Sequence, residues 1–259
     1  MRPEIDLVKL GKKEMLLNVG CFVTECFEDD GNLISYSKYI KDSFWNNVGI
    51  THYSDELVEK YEQYFTNRKR RVSFYLTEMT KPENAAELLE KRGYSKDDTD
   101  AIMVLSEPPI TSSDSFVITE DPESAENIFL EIFDEVFCKE GEDVYSGTSK
   151  DYLLALNDYF NNYPRNTRNN LVIFNGENPI GIAQALFDEK YVLLGSIAVL
   201  SQYRRQGATR KLISYVGEKF KDKIVLLSTE KGSINERIYK ELGFETVLNG
   251  SLYTKKEKE

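Results

Sequence analysis

The sequence predicts a mixed α/β fold that contains two related modules. Three observations lead to this class: apolar strands alternate with amphipathic helices toward the C-terminus, a strand-helix-glycine pattern occurs in each half, and a proline-rich break separates the halves. The order expected after the break is strand, helix, helix, three strands, helix, strand, helix and strand. This order excludes a helix bundle and a β-sandwich.

The break is predicted at residues 106–115. Pro108 and Pro109 prevent a helix or a central strand there, and the small polar residues around them favour turns. Acidic residues exceed basic residues on both sides, so charge does not mark the boundary. We place the boundary by proline and serine content, which gives an N-terminal domain over 1–110 and a C-terminal domain over 111–259.

The C-terminal half shows apolar runs typical of strands, with helical spacing of apolar side chains between them. Tyr191–Val199 is almost wholly apolar, so this strand is expected at the centre of its sheet. Ile234, Ile238 and Leu242 line the last helix, which Gly243 ends. The predicted elements are strand 116–119, helix 122–137, helix 152–160, strands 171–174, 180–187 and 191–199, helix 205–220, strand 224–227 and the helix before Gly243.

The N-terminal half repeats part of this pattern. Segments 72–94 and 225–244 both contain an apolar strand ending in Thr-Glu, a helix that begins near an Asn, and a Gly followed by an aromatic residue. A Gly and an aromatic residue after a helix are also common capping chemistry, so the tandem repeat is a hypothesis. A helix at 54–65 and a strand at 101–105 would complete the N-terminal module.

Composition and charge limit the function classes. The chain has 259 residues, 41% hydrophobic and 30% charged, a balance that excludes a mainly disordered, collagen-like or membrane-spanning protein. With 33 Lys and Arg against 44 Asp and Glu, the net charge of −11 disfavours a nucleic-acid or anionic-membrane partner. The N-terminus lacks the apolar stretch of a signal peptide, and the longest apolar stretch, 192–200, is too short for a membrane helix. We therefore expect a cytoplasmic protein.

Ligand chemistry is expected in segment 193–212. A buried strand ends there in a loop that contains Arg204, Arg205 and Gly207, and the loop opens into an amphipathic helix in which Arg210 adds charge. The first amides of a helix are unpaired and the positive end of its dipole lies there, so this arrangement suits a pyrophosphate. The sequence has neither Gly-x-Gly-x-x-Gly nor a P-loop, which disfavours a dehydrogenase or a P-loop nucleotidase.

In this segment the chain resembles the GNAT superfamily of acetyl-CoA-dependent N-acetyltransferases. Arg204–Thr209, Arg-Arg-Gln-Gly-Ala-Thr, is similar to the family's Arg/Gln-x-x-Gly-x-Gly/Ala loop, which follows a central strand ending in Val. Asn235, Tyr239 and Leu242–Phe244 match the family's second signature in the right order. Thr209 departs from the family, which usually has Gly or Ala at that position.

The resemblance covers about residues 115 to 259. The N-terminal half lacks the Arg-x-x-Gly-x-Gly loop and has Leu89 where Tyr239 stands in the other half. If it is a second GNAT module, it is degenerate and is not expected to bind CoA. The resemblance implies a GNAT-like, mostly antiparallel sheet flanked by helices, with two related modules.

The resemblance also implies an activity. The chain is expected to move an acetyl group from acetyl-CoA, as cosubstrate, to a primary amine by direct attack in a ternary complex. The acceptor would be a small-molecule or peptide amine, and a homodimer is left open. The alternative is a non-catalytic acyl-CoA-binding or sensing module whose N-terminal half is a partner platform, a reading supported by Thr209 and by the lack of an identifiable base.

The resemblance assigns roles to individual residues. Tyr239 is the expected general acid for the departing thiolate, although it could also be a core tyrosine. Asn235 is expected to hydrogen-bond CoA, although an Asn there is also a good helix cap. The backbone of the strand end is expected to contact the pantetheine and the acetyl carbonyl through Ile197, Ala198 and Val199. The loop is expected to hold the pyrophosphate through Arg204, Arg205, Gln206, Gly207, Ala208 and Thr209.

A general base and a metal site are not assigned. Asp188, Glu189, Ser196 and Glu230 are candidates for the base, with none preferred. His52 is the only histidine and is interpreted as structural. The three cysteines have no spacing that suggests a disulfide framework or a zinc site, so no metal is expected.

Overall fold

The computed structural model describes residues 5–111, 115–122, 124–139, 147–163 and 165–255. The chain divides into two compact units. The N-terminal unit consists of residues 1–103, 228–237 and 246–259, and the C-terminal unit consists of residues 104–227 and 238–245. These units differ from the contiguous domains 1–110 and 111–259 expected from the sequence, because two late stretches of the chain belong to the N-terminal unit.

Helices and strands alternate along most of the chain. The helices are α1 (Leu7–Leu17), α2 (Asp55–Asn67), α3 (Ala85–Lys91), α4 (Ala125–Phe133), α5 (Asp151–Asn162), α6 (Ala208–Lys219) and α7 (Ile234–Glu241). The strands are β1 (Glu25–Asp29), β2 (Asn32–Tyr36), β3 (Val48–His52), β4 (Ser73–Lys81), β5 (Tyr94–Leu105), β6 (Val117–Glu120), β7 (Arg168–Asn175), β8 (Asn178–Phe187), β9 (Tyr191–Val199), β10 (Ile224–Glu230) and β11 (Phe244–Lys255).

In the N-terminal unit the strands lie in the order β1-β2-β3-β4-β11-β5. Strands β3 and β4 are parallel and are joined by α2, whereas β1 with β2, β2 with β3 and β4 with β11 are antiparallel. Side chains alternate between the two faces of these strands. Val48, Ile50, Phe74 and Leu76 pack with α2 and α3 in a buried core, and the residues between them face the other side.

Strand pairing explains why the end of the chain belongs to the N-terminal unit. Gly250–Thr254 of β11 pairs antiparallel with Ser73–Thr77 of β4. At Gly250 the hydroxyl of Tyr75 would lie 2.1 Å from an added Cβ, so only glycine fits beneath this ring. A pairing across more than 170 residues leaves no local pattern in the sequence, which is why a boundary chosen at the proline-rich break does not include it.

In the C-terminal unit the order is β10-β9-β8-β7-β6. Strands β9 and β10 are parallel and are joined by α6, while the pairs from β6 to β9 are antiparallel. Along the chain, each half therefore contains a parallel pair with a connecting helix, followed by a further helix and strand: β3-α2-β4-α3-β5 in the first half and β9-α6-β10-α7-β11 in the second, although β11 pairs within the N-terminal unit. This shared order confirms that the two modules are related and that their pairing is mostly antiparallel.

Some predicted elements differ from the structure. The sequence pattern predicts neither α1 nor β1, β2 and β3. The helix predicted over 122–137 has a regular part, α4, followed by a π-helical turn at Asp134–Cys138. Helix α7 forms as predicted, but Ile234 and Ile238 on it are 62% and 39% exposed. Its buried side chain is Glu236, which accepts hydrogen bonds from Gly232 N and Thr246 Oγ1, so polar contacts hold that face of the helix.

The proline-rich break is packed against the C-terminal unit. The backbone amides of Ser106 and Glu107 donate to the carbonyl of Gly243 at 2.8 and 3.2 Å. On α6, an added Cβ at Gly217 would lie 2.4 Å from Cγ of Pro108, so the proline ring packs on the helix at that glycine. Residues 112–114 of the break lie outside the described residues.

Among the described residues, no helix has both the length and the apolar character that crossing a membrane requires.

The three cysteines are free, and burial raises the pKa of Cys26 to about 11, so this thiol stays protonated near neutral pH.

Strand β8 approaches the end of β9 very closely at Gly181. An added Cβ at Gly181 would lie 2.6 Å from the carbonyl oxygen of Ala198 and 3.1 Å from Ile173. A backbone oxygen cannot move away as a flexible side chain can, so β8 requires glycine here. The sequence at Gly181 therefore fixes how the last residues of β9 are placed on β8.

Replacement of Gly181 by alanine should push β9 away from β8. We expect Gly181→Ala to lower the free energy of unfolding by about 1–3 kcal/mol, measured by urea unfolding. Gly195→Ala is the matched control, because an added Cβ there has no neighbour within 4 Å. Equal stability of the two variants would contradict the close approach at Gly181.

Candidate functional site

Strand β9 carries a bulge near its end. Gly195 pairs with Gln184 and Ala198 pairs with Ile182, so three residues of β9 span two of β8. Within this bulge Ser196 has a φ of +50°, an uncommon conformation for a side chain other than glycine. Gly195, Ser196 and Ile197 are half-buried although the residues before and after them in the strand are buried. The bulge therefore exposes backbone at the centre of the C-terminal unit.

The parallel pairing of β9 and β10 ends just before the bulge. Tyr191–Leu193 pairs with Ile224–Leu226, and among the described residues the register of β9 and β10 ends there, although both strands continue. Ligands of open α/β sheets commonly lie outside the carboxyl ends of parallel strands. The bulge therefore marks the place where the end of β9 leaves its regular pairing.

The loop after β9 is held by its own side chains. Arg204 Nε donates to the carbonyl of Val199 at 2.8 Å, and Gln206 Nε2 donates to the carbonyl of Gln202 at 2.9 Å. Arg205 and Gly207 have φ values of +60° and +91°. These contacts turn the chain sharply between the end of β9 and the start of α6.

The N-terminus of α6 has no side-chain cap. Its N-cap is Gly207, and the first turn contains no acidic residue. Lys211 N donates to Gly207 O at 3.0 Å, so the amides of Ala208, Thr209 and Arg210 precede the first helical hydrogen bond. With the positive end of the helix dipole at the same place, this terminus fits an anionic group.

The corresponding helix of the N-terminal unit has the opposite chemistry. At the start of α2, Ser54 Oγ accepts a hydrogen bond from Leu57 N at 3.1 Å. Asp55 and Glu56 occupy the first turn. A capped helix end with two carboxylates repels a phosphate, so the uncapped terminus belongs to α6 and not to α2.

The predicted cofactor residues differ in what they can do. Ile197 lies at the bulge, Ala198 and Val199 follow it, and the amides of Gly207, Ala208 and Thr209 lie at the helix start. Arg205 and Gln206 are exposed. Arg204 Nε donates to the carbonyl of Val199, which ties the loop to the end of β9.

Asn235 and Tyr239 lie four residues apart on α7, which places them on one face of the helix. Both side chains are half-buried, and the Tyr239 ring packs edge-on against Phe244 at 5.8 Å. Ser233 Oγ accepts from Glu236 N at 3.2 Å and so caps α7. Asn235 is therefore within the helix, and its alternative role as the cap is filled by Ser233.

The four base candidates occupy different places. Asp188 accepts hydrogen bonds from the amides of Lys190 and Tyr191 at 2.8 and 2.7 Å, so it closes the turn before β9. Glu189 is exposed in the same turn, at the opposite end of β9 from the bulge. Ser196 lies in the bulge itself, and Glu230 is exposed at the end of β10. Asp188 and Glu189 therefore lie away from the bulge, at the start of β9.

A second feature, in the N-terminal unit, was not predicted from the sequence. A pocket between α1 and the strand face opposite α2 is lined by Glu14, Tyr75 and mostly apolar side chains. Ser228 Oγ donates to Glu14 Oε2 at 2.6 Å, and Tyr75 Oη donates to Asp100 Oδ2 at 3.1 Å. We refer to it as the α1 pocket.

The carboxyl groups at the α1 pocket have shifted titration. Burial, with a further contribution from Asp100, raises the pKa of Glu14 to about 7, although the hydrogen bond from Ser228 opposes the shift. Burial raises the pKa of Asp100 to about 6, helped by Asp98 and Glu230. Burial and both carboxylates raise the pKa of Tyr75, so its hydroxyl remains protonated.

One sequence signal could have revealed Glu14. It lies four residues after Leu10, which is buried, and next to Met15, which is also buried. A carboxylate at that spacing falls on the side of the helix that packs against the protein. Among the described residues, no group of three or more Asp, Glu, His or Cys side chains could hold a metal ion.

Comparison with known proteins gives a family for part of the chain. Residues 166–246 match the family model "Acetyltransferase (GNAT) domain". No curated protein matches the sequence significantly. The matched range contains the bulge of β9, the loop, α6 and α7, which are the elements described above.

Solved structures share the fold over nearly the whole chain. A functionally unknown conserved protein from Staphylococcus epidermidis has a TM-score of 0.71 at 14% identity, with 97% of this chain and 100% of that chain covered. A GCN5-related N-acetyltransferase from Kribbella flavida has 0.68 at 13%, covering 97% and 96%. A tandem GNAT protein from the clavulanic acid biosynthesis pathway has 0.57 at 10%, covering 100% and 90%. At these identities the likeness concerns the fold.

Removal of the Glu14 charge should stabilise the protein at high pH. Because the pKa of Glu14 is raised from its ordinary value of 4.5 to about 7 in the folded protein, stability falls as pH rises from about 4.5 to about 7 and stays low above that. We expect Glu14→Gln to raise the free energy of unfolding on the order of 2 kcal/mol at pH 8.5 relative to the wild type. At pH 4 the gain should vanish, because the wild-type carboxyl group is then mostly neutral in both the folded and the unfolded protein. Urea unfolding at both pH values measures the difference, and an equal effect at both would contradict the shifted pKa.

Proposed function

We propose that this chain, whose residues 166–246 match the family model of the GNAT acetyltransferase domain, transfers an acetyl group from acetyl-CoA to a primary amine. The transfer takes place by direct attack of the amine within a ternary complex. The acceptor is a small-molecule or peptide amine. The family match supports acyl transfer from an acyl-CoA, while the acetyl group, the amine and the direct attack belong to the proposal.

The uncapped N-terminus of α6, directly after the bulged strand β9, carries this proposal. It combines three amides before the first helical hydrogen bond, a glycine N-cap and an adjacent basic residue, Arg210. A diphosphate needs such donors, and a helix N-terminus supplies them without a dedicated cation. The net charge is −11, so the average surface of the protein does not attract anions. An anionic cofactor would therefore depend on local donors such as these amides.

Acetyl-CoA would supply an activated thioester and a diphosphate handle. The amides of Gly207, Ala208 and Thr209 would hold the diphosphate, and the side chains of Arg205 and Arg210 would add charge at its edge. The exposed backbone of Ile197 to Val199 would align the pantetheine beside the bulge. Arg204 would keep the loop and the strand end in register through its bond to Val199. None of these roles needs a side chain to change its present partner.

Tyr239 holds the proton that the departing thiolate needs. A phenol has an ordinary pKa near 10 and a thiol near 8.5, so the transfer requires a positioned hydroxyl. Packing of the Tyr239 ring on Phe244 fixes the ring on α7. Asn235, one turn before it on the same helix, would hydrogen-bond CoA. Both roles are proposals that rest on the resemblance and on the helix geometry.

Substitution of Gly207 should weaken acetyl-CoA binding. Gly207 has a φ of +91° and is the N-cap of α6, so Gly207→Ala strains the turn and sets a methyl group beside the amides. We expect the dissociation constant for acetyl-CoA, measured by calorimetry, to rise more than tenfold.

Gly176→Ala is the matched control for this substitution. Gly176 also has a positive φ, +61°, with no neighbour within 4 Å of an added Cβ, and it lies in the β7–β8 turn. Both variants should lose a similar amount of stability, while Gly176→Ala keeps the wild-type affinity for acetyl-CoA. Wild-type affinity in Gly207→Ala, or no heat of binding for the wild type at millimolar acetyl-CoA, would refute the proposed site.

Removal of the Tyr239 hydroxyl should separate catalysis from binding. In a thiol-release assay over a panel of amines, Tyr239→Phe is expected to lower turnover at least tenfold while the affinity for acetyl-CoA stays nearly unchanged. Tyr163→Phe, a change at an exposed tyrosine at the end of α5, should leave both quantities unchanged.

Two results of this assay would change the assignment. Unchanged turnover in Tyr239→Phe would show that Tyr239 is not the acid. Tight binding of acetyl-CoA without thiol release on any amine of the panel would favour the alternative, a non-catalytic acyl-CoA-binding module.

A further inference from the structure

At the α1 pocket, the carboxyl group of Glu14 has no basic partner among the described residues. Glu14 lines the pocket, and Tyr75, which also lines it, donates its hydroxyl hydrogen bond to Asp100. Within the described residues, neither carboxylate has a Lys, Arg or His side chain at ion-pair distance, since the hydrogen-bond partner found for Glu14 is Ser228 and that for Asp100 is Tyr75. Glu14 and Asp100 are half-buried, and carboxylates withdrawn from water are normally paired, because an isolated charge there is costly.

The rest of the pocket is mostly apolar. Its apolar lining residues include Leu33, Phe44, Met79 and Ile102, together with Met15, which follows Glu14 on α1. Alternation along β3 and β4 explains this wall, because Gly49 and Tyr75 point away from the core packed by α2 and α3. A ligand here would have to bury a hydrocarbon body and place a polar group at Glu14.

We propose that the α1 pocket binds a protonated primary amine with an apolar body, its ammonium group paired with Glu14. The ammonium would supply the cation that Glu14 lacks, and the apolar body would cover Phe44, Met79 and their neighbours. This site lies wholly in the N-terminal unit, and the inference does not depend on the acetyl-transfer proposal.

An anionic ligand is disfavoured even though Lys12 also lines the pocket. Lys12 Nζ already donates to Glu28 Oε1 at 2.9 Å and to the carbonyl of Gly31 at 2.8 Å. Its side chain is only 15% exposed. A carboxylate ligand would therefore meet Glu14 without a cation free to receive it.

The groups around Glu14 set the expected pH dependence. Asp100 on β5 and Tyr75 on β4 lie near the Glu14 carboxyl group, and Ser228 on β10 donates a hydrogen bond to it. Lys12 lies on the same helix, α1. The Glu14 carboxyl group has a pKa of about 7 without a ligand, whereas an alkylammonium has one near 10. Between pH 6 and pH 8 the carboxyl group ionises and the amine stays cationic, so the affinity should rise with pH.

Three probes of the same shape test the proposal by calorimetry on the full chain: phenethylamine, phenethyl alcohol and phenylacetate. Phenethylamine should bind at least tenfold more tightly than either of the others at pH 8, and its affinity should fall severalfold at pH 6. In Glu14→Gln, which keeps the shape of the side chain, the preference for the amine and the pH dependence should both be lost.

Glu56→Gln is the matched control, because it removes one carboxylate from the exposed first turn of α2. This variant should bind phenethylamine as the wild type does. Equal binding of the amine and the alcohol, tighter binding of phenylacetate, or unchanged amine affinity in a folded Glu14→Gln would each overturn the proposal. Because acetyl-CoA is absent from these titrations, failure here leaves the Gly207 experiment unaffected.

Discussion

The single extra residue in β9 is the constraint on which the candidate site depends. With three residues of β9 spanning two of β8, the strand must leave its regular ladder at Ser196, and this exposes backbone in the middle of a buried strand. Gly181 permits the displaced strand end to lie close to β8, because any Cβ there would meet the Ala198 carbonyl. Arg204 then bonds the carbonyl of Val199 and directs the chain into α6. A sharp bend in one strand thereby places a helix N-terminus next to exposed backbone.

The two units show how one strand-helix-strand plan supports different chemistry. In both, a helix connects a parallel pair of strands, α2 between β3 and β4 and α6 between β9 and β10. The difference lies in the first residues of the helix. Ser54 and two acidic residues close the start of α2, whereas Gly207 leaves the first amides of α6 without a side-chain acceptor. Local capping, which costs or gains about 1 kcal/mol, thus makes the start of α6 more suitable than the start of α2 for an anionic group.

The N-terminal unit uses its sheet differently. The face with α2 and α3 is a continuous apolar core, whereas on the opposite side Glu14 of α1 and Asp100 of β5 have no basic partner among the described residues. Buried carboxylates without basic partners lower stability as pH rises, and groups with shifted pKa values are frequent at ligand sites. The proposed amine site rests on this combination of a pocket and a carboxylate without a basic partner among the described residues.

The sequence by itself determined the mixed α/β class, the relation between the two modules, most elements of the C-terminal half and the loop at Arg204–Thr209. These features depend on local periodicity and on short motifs, which neighbouring residues encode. Tertiary structure decided the rest. The pairing of Gly250–Thr254 with β4, the role of Arg204 as a tie to Val199 and the position of Glu14 in a pocket all depend on residues far apart in the chain. Such contacts arise only when strands and helices pack, because hydrogen bonding and burial depend on distance in space and not along the sequence.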